Sequence, residues 1–214
     1  MAHTTSIKVM LVDDHEIVRV GFTRLLETTD DIRVIAEAST GEEAYKKFSE
    51  LAPDVVIMDI NMPGIGGLEA TKRICKRNPK AKVIALTVHE TEPFPSRVLE
   101  AGAKAYLSKR CAPQELIQAV RKIHKGGTFI SAIVAKEMAK TPGTQDEALS
   151  SLSAREFQVF TMLAAGRTPI DIGEDMNLSH KTIHSHRANI MKKLKLETSA
   201  SIVHFGIIQG VIEA

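Results

Sequence analysis

From Ile7 to about Lys125, short apolar runs alternate with amphipathic stretches. The runs Lys8–Val12, Arg33–Ala38, Val55–Met58, Val83–Thr87 and Ala105–Ser108 predict strands. Their near-continuous apolar character is that of strands buried on both faces, as in a parallel sheet. The intervening stretches Glu16–Thr28, Gly41–Leu51, Gly67–Asn78, Pro95–Ala101 and Pro113–Lys125 carry helical spacing. Ser39 and Thr40 precede Glu42 and Glu43 as helix caps with capping-box glutamates. Pro113 suits a first helical turn, where a missing N–H is not needed. The expected fold class is α/β, a doubly wound five-stranded parallel sheet with right-handed crossovers. Periodicity alone fits any small α/β fold.

The pattern changes after Gly126-Gly127. Ile130–Lys140 has weak helical spacing, and Thr141–Glu147 is polar with turn residues, as in a flexible tether. From Leu152 onward the spacing is helical throughout. Ser153 with Glu156 forms a capping box. Thr168-Pro169 opens a short helix through Met176, Asn177-Leu178 turns, Ser179 caps a third helix to about Leu194, and Ser199–Gln209 is a fourth. The expected organisation is therefore an α/β domain over 1–125, a linker with a short helix over 126–150, and an all-α four-helix domain over 151–214.

Composition narrows the class little. Hydrophobic residues are 43% and charged residues 25% of 214, ordinary for a globular protein. No apolar run reaches the roughly 18 residues of a membrane span, and Met1–Lys8 lacks the apolar core of a signal peptide. Cys75 and Cys111 are far apart and in no metal-binding spacing, which fits free thiols in the cytoplasm. The net charge of +2 says less than its distribution.

The strand ends carry the chemistry. The first strand ends at Asp13-Asp14, the third at Asp59, the fourth at Thr87 and the fifth at Ser108-Lys109. In an open parallel sheet these ends share one edge, where such folds build their sites. Converging carboxylates need a counter-ion, and Mg2+ is a hard cation held by a few carboxylates plus phosphate oxygens. Lys109 can neutralise a phosphoryl group, Thr87 can hydrogen-bond to it, and the central Asp59 can attack phosphorus to give an acyl phosphate. Taken singly, Asp13 and Asp14 also suit a helix N-terminus, Lys109 a solvated charge and Tyr106 core packing.

Val12-Asp13-Asp14-His15, Met58 to Gly64, Leu86-Thr87 and Ala105 to Lys109 together resemble the receiver domain of two-component response regulators. The resemblance implies that Asp59 accepts phosphate from a sensor histidine kinase or a small phosphodonor. It further implies that Asp14, Asp59 and the carbonyl of Asn61 ligate Mg2+, that Asp13 acts mostly through water, and that Thr87 and Tyr106 form a switch pair. Haloacid-dehalogenase-type phosphatases share an aspartyl nucleophile but carry a second Asp two residues on. Here that position is Asn61, which argues against turnover of an external ester. The expected chemistry is self-phosphorylation and self-dephosphorylation only.

The output is expected from the third helix of the second domain. Ser179–Lys195 holds Lys181, Arg187, Lys192, Lys193 and Lys195 with three histidines and no acid. A basic helix on a near-neutral domain is an electrostatic footprint for phosphate backbone. Leu152 to Glu156, Ser179 to His186 and Asn189 to Leu194 resemble the LuxR-type helix-turn-helix, and with the receiver the chain resembles the NarL/FixJ family. Met62–Ala70 and Glu92 to Arg97 further resemble the Gac/Uvr-type global regulators. The resemblance implies phosphate contacts from Lys181 and Thr182 and base-facing positions at His184, Ser185 and Ala188. Lys192 and Lys193 of the same basic helix are further expected DNA-binding residues. His184 and Ala188 depart from the Lys or Arg common there, which shifts readout towards thymine methyl contacts, backbone contacts or DNA shape. His180 and His184 have a metal-like spacing, with no third ligand evident in the sequence.

The expected function is a phosphorylation-gated regulator that binds double-stranded DNA and forms a homodimer when phosphorylated. An aspartyl-phosphate-forming enzyme and a receiver acting only by protein contact are the other classes the sequence admits.

Overall fold

The computed structural model describes residues 6–140 and 147–212. The described residues form two compact units. The first gathers those up to Glu90 together with Val98–Ala135, and the second takes in Thr91–Arg97 and those from Lys136 onward.

Along the chain, β1 (Ile7–Val12), α1 (Glu16–Leu26), β2 (Ile32–Ala38), α2 (Gly41–Leu51), β3 (Val55–Asp59), α3 (Gly66–Arg77), β4 (Val83–Thr87), α4 (Phe94–Glu100), β5 (Ala105–Ser108) and α5 (Pro113–His124) follow the expected alternation. All lie in the first unit except the start of α4, Phe94–Arg97, which falls in the second. All residues of β3, β4 and β5 are buried, which is why their sequences read as unbroken apolar runs. On one face of the sheet Val9, Leu11, Ile57, Ile84, Leu86 and Leu107 form a core with Leu26 of α1 and Leu116, Val120 and Ile123 of α5. α2 and α3 pack together, burying Ala44, Phe48, Ala70 and Ile74. Thr40 caps α2 by accepting the Glu43 N–H, and Glu43 in turn accepts from Ser39.

The sheet has six strands, not five. A two-residue strand, β6 (Phe129–Ile130), extends the edge in the order β2-β1-β3-β4-β5-β6, all parallel. Gly126, at φ +86°, turns the chain back out of α5. Phe129 then donates to Lys104 O and Ser131 to Tyr106 O. Two residues are too few to show a strand period, so the sequence could not reveal this one.

α6 (Ala132–Lys140) and the short α7 (Glu147–Ser150) precede α8 (Ala154–Ala164), α9 (Pro169–Asp175), α10 (His180–Leu194) and α11 (Ser199–Ile208). The Ser153–Glu156 capping box is formed, and Thr168 with Asp171 forms a second one at α9. Phe160 packs between Phe157 and Phe205, with ring centroids at 6.4 and 6.0 Å. The polar tether expected over Thr141–Glu147 lies, apart from Glu147, outside the described residues. Among the described residues no helix is long and apolar enough to cross a membrane.

Candidate functional site

Register places the strand ends side by side. Val12 stands opposite Met58, Asp59 opposite Leu86, and Thr87 opposite Ser108. The next residue along each strand therefore brings Asp13 to Asp59 and Lys109 to Thr87, whose carbonyl accepts the Lys109 N–H at 2.7 Å. The strand order reverses between β1 and β3, the position at which open α/β sheets leave a crevice at their carboxyl edge.

Asp59 is only 1% exposed. Its Oδ2 accepts from Lys109 Nζ at 2.8 Å, and its Oδ1 accepts the Asn61 N–H at 3.0 Å. Lys109 Nζ also lies 2.6 Å from Asp13 Oδ2. Burial pushes the Asp59 carboxyl above the ordinary range, and the Asp13 charge adds to this, against the opposing pull of Lys109 and the Asn61 N–H. For Lys109 burial acts downward, but its bonds to Asp13 and Asp59 outweigh it and hold the ammonium above its usual range.

The loop after β3 is held by a close backbone approach. Gly67 N–H donates to Ile60 O, and a Cβ on Gly67 would fall 1.8 Å from the Asp59 carbonyl oxygen. Only glycine lets α3 start this near to the strand that presents Asp59. Glu42 of α2 also accepts the Ile65 N–H at 3.0 Å. Both restraints are approach distances, which the spacing of residues in the sequence does not show.

Asp13, Asp14, His15 and Asp59 each offer a ligand atom, all within 4.8 Å of one another. Asp14 Oδ1 is buried with no hydrogen-bond donor aligned on it, although His15 Nδ1 lies 3.1 Å away. A buried carboxylate oxygen left in this way is ready to take a cation, and a set dominated by carboxylates suits a hard one. His15 was not singled out from the sequence. It is the N-cap residue of α1, placed there because its N–H donates to Asp13 Oδ1 at 2.9 Å.

Thr87 and Tyr106 are both fully buried. Thr87 Oγ1 accepts the His89 N–H at 3.1 Å and keeps its own proton to donate. The Tyr106 hydroxyl donates to the His89 carbonyl at 2.7 Å.

In the second unit α9, the turn at Asn177 (φ +51°) and α10 form a helix-turn-helix. Gly173 lets them meet: its carbonyl accepts the Leu178 N–H at 2.8 Å, and a Cβ there would sit 2.8 Å from Leu178 O. Ser179 caps α10 by accepting the Thr182 N–H. Ile183, Ile190 and Leu194 are buried, whereas Lys181, His184, Ser185, Ala188 and Lys192 are exposed. Those five recur at spacings of three and four, so they lie along one helix face. The half-buried Thr182 also spends its hydroxyl on Ser179, at 2.8 Å. Lys193 faces its own domain: its ammonium is 2.6 Å from buried Glu156 and 3.1 Å from the Ser151 carbonyl.

Two family descriptions match this arrangement, the response regulator receiver domain over residues 9–121 and the luxR family of bacterial regulatory proteins over 150–205. The chain belongs to the two-component response regulators that join a receiver to a LuxR-type DNA-binding domain, and it is a phosphorylation-gated regulator of transcription. Within that family it falls in the Gac/Uvr-type subgroup. It is 43% identical to response regulator UvrY of Escherichia coli strain K12 over 211 residues, 97% of each chain. It is 39% identical to response regulator GacA of Pseudomonas syringae pv. syringae strain B728a, over 97% of this chain and 99% of that one. RcsB from Salmonella enterica serovar Typhimurium, solved bound to a promoter in the presence of the phosphomimetic BeF3-, matches with a TM-score of 0.66 and 26% identity, covering 94% of this chain and 98% of that one.

Proposed function

We propose that Asp59 is the phosphoacceptor and that its aspartyl phosphate gates the helix-turn-helix for operator DNA. The observation that carries this is the placement of Asp59 Oδ2 against Lys109 Nζ, among the acids at the β1/β3 crevice. An Asp59 carboxylate oxygen attacks the phosphorus of a phosphohistidine or acyl phosphate, the bond to the donor breaks, and the donor leaves with its electron pair. Lys109 stays beside the new phosphoryl oxygens, and Thr87 donates its free hydroxyl proton to one of them. Asp13, Asp14, Asp59 and the Asn61 carbonyl would hold Mg2+. When bound, this cation offsets the negative charge of the transferring group. Asn61 supplies no general acid, so the chemistry is confined to phosphorylation and dephosphorylation of the chain itself.

Thr87 and Tyr106 then carry the change to the face formed by α4, β5 and α5. On α10, Lys181, Thr182 and Lys192 meet the phosphate backbone, and His184, Ser185 and Ala188 face the bases of the major groove. Lys193 belongs to the same basic helix, but its bond to Glu156 supports a bracing role. The phosphorylated form binds as a homodimer, with one recognition helix per half-site. The phosphodonor in the cell is a sensor histidine kinase, and the protein works in the cytoplasm.

The test is labelling by a radioactive acyl phosphate with Mg2+. The wild-type chain should incorporate label and Asp59→Asn should not. Label retained by Asp59→Asn would place the acceptor elsewhere.

A further inference from the structure

One residue that neither the resemblance nor the switch pair uses touches three corners of the receiver site. His89 stands two residues past Thr87, in the loop after β4. Its N–H is held by Thr87 Oγ1 at 3.1 Å, and its carbonyl accepts the Tyr106 hydroxyl at 2.7 Å. Its ring Nε2 lies 2.8 Å from Asn61 Nδ2. An amide nitrogen can only donate, so Nε2 accepts and the ring proton sits on Nδ1. Asn61 in turn donates its main-chain N–H to Asp59 Oδ1 at 3.0 Å.

We propose that His89 is a positioning residue that clasps Asn61, so that the Asp59 loop and the Tyr106 hydroxyl move as one. The bonds form a continuous path: Asp59 Oδ1 to Asn61 N, Asn61 Nδ2 to His89 Nε2, His89 O to the Tyr106 hydroxyl. This path reaches Tyr106 through a side chain and runs parallel to the route through Thr87. Occupying the acceptor shifts Asn61, the ring follows Asn61, and the carbonyl of the same residue repositions Tyr106. Without the imidazole only the Thr87 route remains. The inference rests on the proposed role of Asp59 as phosphoacceptor.

Fluorine NMR of the full chain labelled with 3-fluorotyrosine separates the two claims. The chain has two tyrosines, Tyr45 and Tyr106, so Tyr45→Phe assigns the signals. Beryllofluoride with Mg2+ is the probe, and its own bound resonance reports occupancy. In the wild type the Tyr106 signal should move in step with that occupancy. In His89→Ala occupancy should still be reached, at a roughly three- to tenfold higher probe concentration, as for loss of one hydrogen bond. The Tyr106 displacement should fall by more than about half, and His89→Gln, whose carbonyl can accept from Asn61, should restore it. Asn61→Ala removes the other half of the bond and should lose the Tyr106 response as well. Adding His89→Ala to it should cost nothing further. An unchanged Tyr106 response in His89→Ala, or in Asn61→Ala should the first variant not fold, overturns the clasp alone. No bound beryllofluoride resonance in the wild type overturns the reading of Asp59 as phosphoacceptor, and the clasp with it.

Discussion

Lys109 Nζ lies 2.8 Å from Asp59 Oδ2, and the same ammonium stands 2.6 Å from Asp13 Oδ2. One cation thus neutralises two buried carboxylates at the point where a phosphoryl group would be received. Charge-assisted hydrogen bonds of this kind contribute about 1.5–3 kcal/mol each. Lys109→Ala should weaken beryllofluoride binding by roughly 10- to 100-fold, read from the bound fluorine signal. An unaltered affinity would remove Lys109 from phosphoryl recognition.

Gly67 tests how tightly the acceptor loop is packed. A methyl group there meets the Asp59 carbonyl oxygen at 1.8 Å, and backbone cannot yield as a flexible side chain does. Gly67→Ala should destabilise the receiver by about 1–3 kcal/mol or more, the range seen when well-packed interiors are overfilled. Urea unfolding followed by circular dichroism measures this. A variant as stable as the wild type would mean that the loop has slack.

Much of this site was legible in the sequence because a parallel strand buried on both faces shows its length directly. The bounds of Val83–Thr87 and Ala105–Ser108 match the expectation. The residue that ends or follows each run then had to lie at one sheet edge, as Thr87 ends its run and Asp13, Asp59 and Lys109 follow theirs. What stayed hidden depends on approach distances rather than on pattern. Gly67, His15 and His89 follow no periodic pattern, and their contacts show only in the folded chain. β6 was too short for any period. Lys193 looked like one more charge on a basic helix. Only the packing of α10 on α8 shows that it faces Glu156.

That pair makes a pH prediction. Burial alone would raise the Glu156 carboxyl, but its hydrogen bonds from Lys193 and Ser153 outweigh burial and hold it below its ordinary value of 4.5. A carboxyl depressed on folding contributes stability above its unfolded pKa and loses it as pH falls through the folded value. The helical domain should therefore lose stability on acidification below about 4.5, and Glu156→Gln should flatten that loss. Thermal melts across this range decide it, and equal pH dependence in both proteins would count against the pairing.

The exposed stripe on α10 makes a salt prediction. Each phosphate contact removed should flatten the slope of log affinity against log salt by about 0.9. Lys181→Ala and Lys192→Ala should each do so, whereas Lys193→Ala should mainly lower domain stability. A slope unchanged by the first two, or flattened by the third, would redraw the backbone-contacting face.

The most direct measurement is the affinity of the full chain for operator fragments, before and after treatment with an acyl phosphate and Mg2+. Wild type and Asp59→Asn should be compared at one fixed salt concentration. Phosphorylation gating through Asp59 predicts tighter binding by the treated wild type and no response from Asp59→Asn. A wild type that binds equally before and after treatment, or an Asp59→Asn protein that responds as the wild type does, would contradict it.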